Sequence, residues 1–457
     1  MMNNNNPGVS RAPITITRRQ TIRQEQAFLG GGLIIMSTGL FIAQSSYIWF
    51  FPSQWLFFGL STDELLHAII SWNIAFIVGL AVAALAVRKF QKDKIYYLSA
   101  LIVIIGGALM LPSWDSATPL ILARYIAGAG QGLAFLPTII HTSEITPPTA
   151  RGKTVGYVSF TLVSSILIGF AMVDLFIYVN SGSLSIDQML GILTFIFGVV
   201  SIVVNYVRFI ESPVYHLKNN DIRSAIDCLA KLNLDHPSSP NVANELAHLQ
   251  DFVHGPKRPS GSFRPFIRVV ALRTVYALST LTIFNLFTNL FLGRDLRQYS
   301  LLVAYLVRFF GEFIGTYTVD KLGRRLLLLI SLGGCIIPFA VIGGLYLGDL
   351  DNSILVISGA LSIVYRFFLG LGLSHISLLY MGESFTVGQK PFYIFIALLL
   401  ENVIQILAMV ICWYFTMRVA PAYLVMAVLQ LIIGGFVYWK TPETKGLTLI
   451  ECRDIME

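Results

Sequence analysis

Long apolar runs, broken at short intervals by basic or turn-forming segments, set the pattern of this chain. A helix needs about 20 apolar residues to cross the hydrocarbon layer of a bilayer. Such runs recur at 27–50, 62–87, 95–113, 117–141, 154–179, 187–209, 266–290, 296–319, 325–347, 353–380, 391–417 and 420–439. Twelve spans place both termini on one side of the membrane. Residues 1–26 are polar and lack the early apolar stretch of a signal peptide, so they read as a disordered tail. The one long connection, 211–265, predicts short helices near 220–233 and 241–253, split by the turn-forming HPSSPN. The expected organisation is therefore a tail (1–26), a six-helix bundle (27–210), a linker (211–265), a second six-helix bundle (266–440) and a second tail (441–457).

Composition and charge narrow the function classes. Of the 457 residues, 55% are hydrophobic and 12% are charged, where a soluble domain carries about 25% charge. A soluble enzyme, a disordered protein and a nucleic-acid module are excluded as readings of the whole chain. The net charge of +7 follows from topology, because Lys and Arg gather in connections of one parity, which reads as cytosolic. That set holds Arg11, Arg18, Arg19, Arg23, Arg88, Lys89, Lys92, Lys94, Arg151, Lys153, Lys321, Arg324, Arg325 and Lys390. Apart from Arg294, Arg297 and Arg418, the opposite connections are free of cations. No catalytic motif, metal-ligand spacing or extracellular disulfide framework is present, so neither a metal nor a cofactor is expected.

The same loop chemistry occurs twice. Glu144 precedes Arg151 by seven residues after span four, and Glu383 precedes Lys390 by seven after span ten. Glu211 follows span six and Glu443 follows span twelve, and 443−211 gives a register of 232. This duplication marks two copies of one six-helix unit, the organisation of many transporters. With ARYIAGAGQG (123–132), SEITPPTARG (143–152), ESP (211–213), DKLGRR (320–325), GESF (382–385) and PETKG (442–446), the chain resembles the major facilitator superfamily, and within it the sugar porters of the facilitated hexose and trehalose type.

The resemblance implies an all-α membrane protein of twelve spans in two pseudo-symmetric bundles, moving a small solute by alternating access, most simply by facilitated diffusion of a sugar through the plasma membrane. It implies no nucleic acid and no obligate protein partner. It also implies a cytosolic gate, here Glu144, Arg151, Glu211, Asp320, Arg324, Arg325, Glu383 and Glu443. Alignment with the family's solute-contacting segments selects Ser159, Tyr276, Ser279, Thr282, Glu401, Asn402 and Gln405, although the family's long amides and tryptophan are replaced by hydroxyls. Arg124, Asp174, Arg308, Glu312, Arg366 and Glu401 place ionisable groups in spans, where each is costly. The i, i+4 spacing predicts an Arg308–Glu312 pair, and Arg366 is the expected partner if Glu401 is tied down. Those charges keep an organic-ion or proton-coupled carrier in play, and a non-transporting nutrient sensor on the same scaffold is a further alternative.

Overall fold

The computed structural model describes residues 17–50, 61–112, 117–179, 184–255, 263–281, 284, 299–348, 351–414 and 419–456, and every regular element among them is helical. The first half contains α1 (Arg18–Ala27), α2 (Leu29–Phe50), α3 (Thr62–Ala86), α4 (Lys92–Leu109), α5 (Ala117–Ile145), α6 (Arg151–Val179) and α7 (Ile186–Arg208). The connection carries α8 (Pro213–Lys218), α9 (Ile222–Asn233) and α10 (Pro240–His254). The second half contains α11 (Phe263–Ser279), α12 (Ser300–Leu322), α13 (Arg324–Leu345), α14 (Asn352–Phe368), a π-helical turn (Leu369–Leu373), α15 (Ser374–Glu383), α16 (Lys390–Tyr414), α17 (Val419–Lys440) and α18 (Leu449–Met456). Ten of the described helices, counting α14 to α15 as one, are long and apolar enough to cross a membrane. The shorter α4, with Lys92, Asp93 and Lys94 in its first turn, and α11 join the two bundles. Arg294, Arg297 and Arg418 lie outside the described residues.

Packing follows the small residues. In the first half α3 and α4 both lie on α5, while α2 lies on α6 and α7. A Cβ added at Gly128 would stand 2.8 Å from the Trp72 carbonyl, and one at Gly132 would collide with the Phe76 carbonyl. Backbone thus touches backbone between α3 and α5, the close approach that small residues permit in membranes. In the second half α13 packs on α14 and α17, and α11 on α16 and α17. The π-helical LGLGL turn brings its backbone against α12 and α13, where a Cβ at Gly370 would be 2.5 Å from the Arg308 carbonyl and one at Gly372 2.8 Å from that of Leu327. The halves meet along α6 with α12 and α3 with α16, and α15 reaches α5 and α6.

Three features differ from the sequence expectation. Residues 18–26, read as part of a disordered tail, lie in a helix started by a capping box between Thr17 and Gln20, and Gln20 Nε2 donates to the Asn233 carbonyl at 2.6 Å. The second tail also holds a helix, whose Met456 carbonyl accepts from Arg268 Nη1 at 2.5 Å. Finally, α4, α5 and α6 run about a turn beyond their apolar stretches, to Lys92, Ile145 and Arg151. A helix need not stop where hydrocarbon stops, provided its polar residues find partners, and these do.

The α3–α5 contact makes a specific demand. Gly132→Ala is expected to destabilise the protein by about 1–3 kcal/mol through overpacking, read as a lower unfolding temperature in detergent. Gly344→Ala, whose Cβ meets nothing within 4 Å, should keep the wild-type midpoint. Equal midpoints for the two variants would show that this contact is not tight.

Candidate functional site

Two polar constructions occupy the interface between the halves: a charged cluster at the end that carries the basic connections, and a cavity farther in.

The charged cluster is built from the duplicated motifs. Glu144, in the last turn of α5, lies 4.0 Å from Lys390 Nζ at the start of α16. Glu383, the last residue of α15, accepts from Arg151 Nη1 of α6 at 3.4 Å. Each half therefore supplies one acid and one base, and each acid faces the other half's base. Lys92 Nζ adds contacts to Glu144 at 3.3 Å and Glu211 at 3.2 Å, and Lys390 Nζ donates to Ser143 Oγ at 2.8 Å. Arg324 Nη2 reaches Glu383 at 3.1 Å and Asp320 at 3.7 Å. Asp320 crosses between halves in another way, accepting the first amides of α6 from Gly152 at 3.0 Å and Lys153 at 2.8 Å. A carboxylate there satisfies orphan donors and faces the positive end of the helix dipole.

Glu211 and Glu443 repeat one construction within their halves. Glu211 accepts the Lys92 amide at 2.6 Å, and Glu443 accepts the amides of Arg324 at 3.1 Å and Arg325 at 3.0 Å. Each carboxylate thus caps the helix that opens the second hairpin of its bundle, α4 or α13. Burial pushes the Glu211 carboxyl up, but the Lys92 ammonium and the neighbouring amides outweigh it and hold the group below the ordinary glutamate value. Arg325 stands apart from the interface, since its guanidinium bonds the Tyr438 carbonyl and lies 5.4 Å from that ring, within the second half. Lys92 and Lys390, read from sequence as topology charges, are the missed members of the cluster.

These pairs are buried, unlike surface salt bridges. The side chains of Glu383 and Arg324 are 0% exposed and Lys390 only 1%. Exposed pairs contribute about 0–1 kcal/mol, whereas removing one partner of a buried pair costs about 3–5 kcal/mol because the other charge is stranded.

The cavity, about 100 Å³, draws its lining from both halves. Ser159 from α6 and Tyr276, Glu401, Asn402 and Gln405 from α11 and α16 all line it. Of the other two candidates, one is described and does not face it. Ser279 points away, its hydroxyl accepting from Gln430 Nε2 of α17 at 2.9 Å, and Thr282 lies outside the described residues. Asn73 of α3 enters instead, donating to Asn402 at 3.4 Å, while Thr280 accepts from Gln405 at 3.4 Å.

The buried charges pair differently from expectation. Glu401 is held by Arg273 of α11, whose Nε donates to it at 2.7 Å and whose Nη2 makes a second, shorter contact, while Nη1 donates to Ser377 at 3.0 Å. Arg366 is not its partner; that guanidinium lies against the rings of Tyr305 and Tyr365. The i, i+4 pair of Arg308 with Glu312 does not form either. Glu312 turns to Ser374 Oγ and to His375 Nδ1 at 3.3 Å, and Arg308 Nη2 donates to the Tyr276 hydroxyl at 3.0 Å. Arg124 is enclosed outside the cavity, donating to the Ala68 carbonyl at 2.8 Å and to Gln44 and Ser45.

Comparison with known proteins agrees with this architecture. A probable inositol transporter of Arabidopsis thaliana is 25% identical over 314 residues, 60% of this chain and 51% of that protein, so the match spans about half of the relative's length. A hexose transporter of Saccharomyces cerevisiae is 26% identical over 386 residues, 78% of this chain and 69% of its own. In fold, the chain is similar to the proton:xylose symporter XylE bound to 6-bromo-6-deoxy-D-glucose, with a TM-score of 0.77 at 19% identity over 96% of this chain and 99% of that one. The profile of the sugar (and other) transporter family matches residues 35–455. Running from the first span into the last helix, that match shows the chain to belong to the sugar (and other) transporter family, a family of membrane transporters built on the major facilitator fold.

Proposed function

We propose that this protein carries a sugar-class solute across a cell's plasma membrane by facilitated diffusion, with both termini and the 211–265 connection in the cytosol. The observation that carries the reading is the cross-paired cluster, Glu144 with Lys390 and Arg151 with Glu383, lying beneath a cavity to which both halves contribute. Paired, these charges hold the two bundles together at the cytosolic end and close the cavity on that side. Separated, they free that end, and the solute leaves inward. Two states differing by a few kcal/mol are enough for such a carrier, and solute binding needs only to favour the transition between them.

Amides and hydroxyls in the cavity supply the donors and acceptors that a sugar requires, and Tyr276 supplies an aromatic face. Facilitated diffusion is favoured because the one carboxylate among the described lining residues, Glu401, is already bound to Arg273. A carboxylate occupied in this way has to leave its guanidinium before it can pick up a proton, a step that facilitated diffusion does not require. Asn73 and Asn402 join the halves across the cavity, so their contact must break or lengthen as the bundles rotate.

The cluster is tested by opening it. Arg151→Ala and Lys390→Ala should each raise labelling of a cysteine placed at Ser159 by a reagent applied from the cytosolic side, several-fold when the exposed fraction of a two-state equilibrium shifts by one or two kcal/mol. Unchanged labelling in both variants at normal abundance would assign these charges to folding alone.

The Arg273–Glu401 pair is tested by a mutant cycle. Glu401→Gln leaves a buried guanidinium without its counter-charge and is expected to destabilise the protein by about 3–5 kcal/mol. Arg273→Met together with Glu401→Leu should recover much of that loss, and in proteoliposomes should show no pH-driven accumulation of solute. Accumulation that follows an imposed proton gradient in the wild type, and vanishes with Glu401, would replace facilitated diffusion by proton coupling.

A further inference from the structure

We infer that Trp49 of α2 and Trp413 of α16 form the gate at the end of the cavity opposite the charged cluster: they part to admit solute, close over it, and are held shut by the bond between Tyr414 and Asp63. This rests on the central cavity being the solute site.

Helical periodicity leads from the cavity to the pair. On α2 the wall is lined by Thr38, Ile42 and Ser45, and on α16 by Asn402, Gln405 and Met409. Steps of three or four residues keep each set on one face of its helix. One further step of four reaches Trp49 from Ser45 and Trp413 from Met409, about 6 Å farther along each axis. Both helices begin at the charged end. Lys390 opens α16 within the cluster, and Gly30 near the start of α2 lies against Asn205, which bonds the Asp93 carbonyl beside Lys92. The two stripes therefore run away from the ion pairs.

Where the stripes end, the halves meet again. The two indole rings lie 5.1 Å apart at 66°, an edge-to-face contact between α2 and α16. The next residue of α16, Tyr414, donates its hydroxyl at 2.7 Å to Asp63 in the first turn of α3. Adjacent residues of one half thus hold two different helices of the other.

The chemistry of this end suits repeated opening. Both tryptophans are half-buried, while Tyr414 and Asp63 are exposed. Parting them wets two amphipathic rings and returns one hydroxyl and one carboxylate to water, so no charge is stranded. At the charged cluster each separation leaves a buried ion without its partner. Neither tryptophan is among the described lining residues, so the pair acts as a door beyond the wall and Tyr414 with Asp63 as its latch.

The test uses a cysteine placed at Ser159 on the cavity wall, with Cys412 beside the pair replaced by Ser in every variant. A membrane-impermeant thiol reagent is applied from the outer side, opposite the 211–265 connection, or from the cytosolic side. Trp49→Ala and Trp413→Ala should each raise outer labelling several-fold and lower cytosolic labelling, because the outward-open state gains population. The double variant should add little to the larger single effect, since both remove one shared contact. Trp413→Phe, which keeps a ring there, should restore much of the wild-type pattern. Tyr414→Phe deletes only an exposed hydroxyl, leaves packing intact, and should move labelling in the same direction by a smaller factor. Equal rises from both sides would make the pair ordinary packing and overturn the gate. Unchanged labelling in all these variants, with Arg151→Ala still raising cytosolic labelling, overturns the gate and leaves the carrier reading standing. Unchanged labelling in Arg151→Ala and Lys390→Ala as well, at normal abundance, overturns both.

Discussion

A charge withdrawn from water must meet its opposite, and in this protein that constraint organises the interface on which everything else is arranged. Glu383 and Arg324 are wholly buried, Lys390 nearly so, and each is held by groups from another helix. The helices can extend past their apolar stretches at this end only because the charges there are satisfied. Asp320 closes the open amides of a helix in the opposite bundle, so even backbone termination depends on the partner half. Within each bundle, in contrast, contact is by glycine and bare backbone, which leaves little room for deformation. The result is two bodies joined by polar contacts at this end and by apolar contacts of α6 with α12, such as Phe160 with Phe309 at 5.0 Å, a combination suited to rocking of one body against the other.

The cavity obeys the same constraint with a different outcome. Arg273 and Glu401 answer one another, while Glu312 accepts from the Ser374 hydroxyl one turn along α12 from Arg308. Hydroxyls and amides complete the wall, and the aromatic groups are placed against guanidinium ions. Tyr276 is the clearest instance, touching both Arg273 and Arg308.

What was legible in the sequence was what the bilayer and the duplication impose. Apolar runs marked the spans, and recurrence of a glutamate seven residues ahead of a base identified Glu144, Arg151 and Glu383. The same pattern contained Lys390, but a lysine at a span end also satisfies the positive-inside rule, and composition does not separate the two roles. Arg273 was missed for a related reason. It follows Arg264 and Arg268 and reads as the last of a basic cluster, yet it lies ten residues into α11, about 15 Å along the axis. That depth was the available signal. Its partner Glu401 is 128 residues away, a pairing that only tertiary structure sets. The local rule that paired Arg308 with Glu312 failed because α15 brings Ser374 and His375 to the same carboxylate, and a short-range preference of a few tenths of a kcal/mol does not compete with such contacts.

The exchange of partners at the charged end has a consequence for substitution. Since Glu144 faces Lys390 and Arg151 faces Glu383, neither half contains both members of a cross-interface pair. Losing a charge from one half therefore unbalances a buried cluster shared with the other, so a substitution made within one half is felt across the seam.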